Sequence, residues 1–104
     1  MASPLHFLEG LTVSHASIVH DYVQLSFGEQ VGLSIYNEIS LDPPSTQFEL
    51  LVGKMVVKIL ESEEAIVISF LDGSSLEVDL HPVAYGGPEA LQLNRQGEPP
   101  VIWN

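Results

Sequence analysis

The chain has 104 residues, 45% of them apolar, with one Trp, three Tyr and four Phe, enough for one packed core and too few for two. Fourteen acids stand against Lys54, Lys58 and Arg95, a net charge of −11 that leaves too few cations to neutralise nucleic-acid phosphates or hold an anionic membrane. The absence of cysteine excludes a disulfide framework, a thiol nucleophile and a thiolate metal site. At the start, MASPLHFLEGLTVSHASIVHD carries neither a basic segment nor an uninterrupted apolar one, so it does not read as a secretory signal. No apolar run approaches the roughly 18–20 residues of a membrane span, and a cytoplasmic location is expected.

Leu11–Ile18 reads as an irregular strand. Val13 and Ala16 lie three apart, which strict alternation forbids and a bulge would allow. After the polar break Val19-His20-Asp21, the segment Tyr22–Phe27 alternates cleanly: Val23, Leu25 and Phe27 on one face, Gln24 and Ser26 on the other. Gly28-Glu29 suits a type II′ turn, and a third strand follows with Leu33 and Ile35. The prolines of Leu41-Asp42-Pro43-Pro44-Ser45-Thr46 mark a linker.

The next segment repeats the first. Shifted by 43 positions, Gly10–Tyr36 falls on Gly53–Asp79 without a gap. Gly10/Gly53, Val13/Val56, Ser26/Ser69, Phe27/Phe70 and Leu33/Leu76 are identical, and Asp21/Glu64, Val23/Ile66, Leu25/Ile68 and Ile35/Val78 keep their type. Lys54–Glu61 is the irregular first strand of this unit. Ala65–Phe70 points Ile66, Ile68 and Phe70 inward, Asp72-Gly73 suggests a type I′ hairpin, and Leu76, Val78 and Leu80 alternate with Glu77 and Asp79. A repeat at a fixed period sets the architecture. Two three-stranded antiparallel meanders, each with one apolar face, are expected to pack as a six-stranded sandwich or partly open barrel in a single all-β domain, residues 1–104. The units span about 7–40 and 50–83, and the expected core is Val23, Leu25, Phe27, Leu33, Ile35, Ile66, Ile68, Phe70, Leu76 and Val78.

Residues 84–104 form a tail. His81–Pro88 reads as an irregular loop. Pro88–Leu91 could begin a helical turn, or Leu91–Leu93 and Val101–Trp103 could pair as a hairpin around Asn94–Pro100. In either case Trp103 packs the tail onto the body.

Candidate chemistry is sparse. His15 and His20 lie five apart, on opposite faces of a regular strand, while His6 and His81 are remote, so no metal-ligand spacing emerges. Glu61, Glu63 and Glu64 form an acidic turn without the converging oxygens that Ca²⁺ requires. No G-x-S-x-G elbow and no Lys-bearing glycine-rich phosphate loop occurs, so no catalytic residue, metal or cofactor is expected. The loop with Tyr85, Gly86 and Gly87 combines polar tips with a flexible backbone, which suits recognition.

Leu51-Val52-Gly53-Lys54 with Val56, Ile59, Ile66, Phe70, Asp72-Gly73, Leu76 and Val78, followed by Gly87-Pro88-Glu89-Ala90 and Val101-Ile102-Trp103, resembles small bacterial proteins of unassigned function. Some of these are found among polymorphic-toxin immunity proteins. The resemblance covers residues 50–104 and implies a protein-binding role with no catalytic residue. Combined with the charge, it leads to the expectation of a non-catalytic acidic module that binds a basic protein, as an inhibitor or immunity protein does. The charged binding residues expected are Glu61, Glu63, Glu64, Asp72, Glu77 and Asp79, around one end of the second unit. The alternatives are a small-ligand barrel with a pocket between the meanders, and an inert accessory subunit that works in a homo-oligomer.

Overall fold

Alternating segments become strands where expected, but more strands form than the repeat alone implies. Among the described residues, 3–104 of a computed structural model, there are nine strands: β1 (His15–Val19), β2 (Tyr22–Ser26), β3 (Val31–Ile35), β4 (Ile39–Asp42), β5 (Val56–Glu61), β6 (Ala65–Phe70), β7 (Ser75–Asp79), β8 (Leu91–Arg95) and β9 (Val101–Trp103). Three short 3₁₀ helices accompany them: η1 (Pro4–Leu8), η2 (Phe48–Leu51) and η3 (Pro82–Ala84). The protein is an all-β sandwich of a five-stranded sheet, β1-β2-β3-β8-β9, and a four-stranded sheet, β4-β7-β6-β5, with antiparallel neighbours throughout. No helix among the described residues is long and apolar enough to cross a membrane.

The connectivity exchanges strands between the halves. β4 follows the first meander yet pairs with β7 of the second, and β8 follows the second yet pairs with β3 of the first. Each meander therefore receives its fourth strand from the other half, and the two halves share one core. At their junction the hydrogen bonds come in pairs offset by 43 residues. Gly10 N–H donates to the Val56 carbonyl at 2.7 Å and Gly53 N–H to the Val13 carbonyl at 2.8 Å. Val13 N–H reaches the Lys54 carbonyl at 2.9 Å, and Val56 N–H the Leu11 carbonyl at 2.9 Å. Thr12 bridges Met55, its counterpart at the same offset. Gly10 and Gly53, at φ +90° and +92°, take the left-handed turn that brings the chain into this junction, a conformation that favours glycine.

Nine of the ten expected core side chains are buried, and Val23 is partly so. Leu5, Leu8 and Leu51 from the 3₁₀ helices join them, as do Leu91 and Leu93 from β8. η1 lies on β5 and η2 on β1, so each covers an edge strand. At the β5 edge Glu9 completes the cover: its Oε2 accepts the Ile59 N–H at 2.9 Å, which removes one free donor from a strand edge.

Several local expectations need correction. The expected linker is strand as far as Asp42, because an edge position tolerates the prolines that follow. The tail takes the hairpin, not the helical turn, and β8 and β9 extend the five-stranded sheet. The 71–74 connection is not a type I′ turn. Gly73 has φ +90° but Asp72 does not have positive φ, and Gly73 N–H bonds the Phe70 carbonyl at 3.0 Å, a pattern of one turn followed by a left-handed glycine. The first-strand bulge is present in β5, where the register slips between Val56 and Lys58. In β1, Ser14 N–H bonds the carbonyl of Ser26, the residue that His15 faces, so two residues again address one.

Candidate acidic binding site

The β5–β6 turn carries Glu61, Glu63 and Glu64 at one end of the sandwich, all exposed. Ser62 shapes it: its hydroxyl oxygen accepts the N–H groups of Glu64 and Ala65, each at 3.2 Å, holding the turn while the carboxylates point to solvent. The Glu64 carbonyl accepts the Leu80 N–H at 2.9 Å, which brings the end of β7 alongside. Glu61 and Glu63 line a cleft of about 670 Å³ together with Ser3, Pro4, His6, Leu80, Tyr85 and Asn104. The Tyr85 hydroxyl donates to the Asn104 carbonyl at 3.2 Å, and the Trp103 indole N–H donates to Glu61 Oε2 at 3.0 Å. Trp103 therefore packs the tail onto the body as expected, and also orients one of the acids.

Asp79 joins this end. Its Oδ1 accepts from the backbone N–H of His81 at 2.9 Å and lies 2.7 Å from that imidazole, and these two contacts, the backbone one foremost, hold its carboxyl below its usual range. Glu9 is lowered in the same way, chiefly by the Ile59 N–H and then by His6, whose Nδ1 is 2.9 Å away. His15 and His20 are exposed on β1 and in the turn after it, and among the described residues no three His, Asp or Glu side chains are grouped as a metal site requires.

The structure brings together only part of the expected set. Asp72 does not belong to the acidic end. It sits beyond the far end of β6, which at six residues and about 3.3 Å per residue places it some 20 Å from Glu64. There it pairs with Lys54 and accepts from the Ser74 hydroxyl at 2.6 Å and the Ser74 N–H at 2.9 Å. Lys54 first, and Ser74 second, hold its carboxyl well below the usual range. Its role is to shape the turn. Glu77 is exposed in the middle of β7, facing neither end.

Gly86 and Gly87 line a separate depression with Asp21, Tyr22, Tyr36, Pro88 and Glu89. Sequence reasoning passed over Tyr22 and Tyr36. The available signal was that both share the outward parity of Gln24 and Ser34, on facing strands of one hairpin.

Neither a protein-family model, nor a curated protein, nor a solved structure matches the chain.

Proposed function

We propose that the chain is a non-catalytic acidic module that binds a basic protein partner through the end of the sandwich formed by Glu61, Glu63, Glu64 and Tyr85. The observation that carries this reading is the cleft there: it is lined by two exposed carboxylates, one of them oriented by the Trp103 indole, and a tyrosine, and neither lysine nor arginine lines it. The remaining charge follows the same pattern. None of the fourteen carboxylates is buried, and among the described residues only Glu9, Asp72 and Asp79 lie within ion-pair distance of a basic side chain. Carboxylates that no basic side chain neutralises within the fold leave a negative field, which speeds encounter with a cationic surface. Where that surface is an enzyme's cationic cleft, occupation amounts to inhibition. A partner with an apolar or acidic face would gain nothing from this end.

The test is affinity capture with the native protein and with a variant carrying Glu61→Lys, Glu63→Lys and Glu64→Lys. The native protein is expected to retain a basic protein at low salt that the variant releases. Equal retention by both would refute the assignment of the site.

A further inference from the structure

The depression beside the recognition loop differs from the acidic cleft in having aromatic walls. The Tyr22 and Tyr36 rings stand 5.2 Å apart between centroids, with their planes tilted by 48°. Gly86 and Gly87 line it as well without adding side chains, leaving a cavity of about 230 Å³. That is below the roughly 300–1,000 Å³ of pockets for drug-sized ligands, so the fitting occupant is the head of one side chain. Asp21 and Glu89 supply negative charge, and among the described residues neither has a basic side chain within ion-pair distance.

We propose that this pocket receives the guanidinium of an arginine side chain from a protein partner. A guanidinium is planar and weakly hydrated, stacks on aromatic faces and carries five N–H donors. One face of the guanidinium stacks on the tyrosine pair, and Asp21 and Glu89 balance its charge and accept its N–H groups. A quaternary ammonium offers no N–H for the two carboxylates, and a lysine ammonium does not stack. The pocket deepens the reading of a basic partner and rests on it, but it uses residues distinct from Glu61, Glu63 and Glu64.

The test is titration of the full chain with Nα-acetyl-arginine methylamide, followed by amide NMR, with the citrulline analogue as the neutral isostere and free arginine as the small-molecule counterpart. Saturable shifts are expected at Tyr22, Tyr36, Gly86 and Gly87, at least about tenfold weaker with citrulline. Tyr36→Ala should weaken binding by roughly 2- to 30-fold, the range of a cation–π contact, while Tyr36→Phe keeps it. Equal shifts with citrulline, or unchanged binding in Tyr36→Ala, would overturn the proposal. Clearly tighter binding of free arginine would overturn the protein partner as its source. Failure here would leave the capture result for the Glu61 turn untouched, and failure of that capture would leave this titration untouched.

Discussion

Replacing Phe70 with alanine tests whether the two halves share one core. Phe70 is 2% exposed at the end of β6, opposite Val56 of β5, and its N–H bonds the Ser74 carbonyl at 2.9 Å, so the backbone anchors it independently of the ring. A buried aromatic removes about 150–250 Å² from water, which at about 25 cal/mol per Å² is about 4–6 kcal/mol. Alanine retains part of this, and the cavity left behind adds to the loss, in keeping with the 3–5 kcal/mol typical of such truncations. A domain of this size is stable by about 5–15 kcal/mol, so the variant should fold with much of its margin gone. In urea denaturation with a slope of about 2 kcal/mol per M, the midpoint should fall by about 2 M with the slope unchanged. Leu71→Ala, one residue along and 70% exposed, should stay within about 0.5 kcal/mol of the native protein. A loss below about 1 kcal/mol for Phe70→Ala would refute the shared core.

Gly53→Ala meets no neighbouring atom within 4 Å, so its expected cost of about 1–2 kcal/mol comes from the φ of +92° alone, and a thermal melt equal to native would contradict this. Glu9 has a lowered carboxyl in the folded state, so its contribution is present above its unfolded value near about pH 4.3 and is lost as pH falls through the folded one. The stability difference between native and Glu9→Gln should therefore shrink from about pH 5 to pH 3, with Asp72 and Asp79 acting equally in both proteins; a constant difference in denaturant titrations would count against the edge contact. The backbones of residues 10–36 and 53–79 should superpose by a rotation near a twofold when the crystal structure is solved, and different strand orders in the two segments would end the reading of an internal duplication.

Strands β2, β3, β6 and β7 were legible because each places Val, Leu, Ile or Phe at every second position over five or six residues, mostly between polar or small ones. β4 was not, since Ile39 and Leu41 offer only two apolar beats before Pro43 and Pro44. The exchange of β4 and β8 between sheets is a long-range choice that no local pattern encodes. η1 and η2 are too short for a helical period to register, although Ser3 capping Leu5 and Pro4 at the first turn are start signals. The acidic turn was legible as consecutive Glu residues, and Asp72 could have been set apart by counting the six residues of β6 between them. The tyrosine pocket needed Tyr22 and Tyr36 to meet a loop some fifty residues further on, which only the packed sandwich provides.

The most direct test of the binding account is the association rate of the captured basic partner, measured by stopped flow as salt rises from about 0.05 to 0.5 M, a range that shortens the Debye length about threefold. The rate should fall steeply for the native protein. It should be slower and flatter for the variant with Glu61, Glu63 and Glu64 reversed to Lys, whose fold stays intact because exposed turn carboxylates contribute little to stability. A rate indifferent to both salt and the triple reversal would mean that the acidic end serves solubility and takes no part in binding.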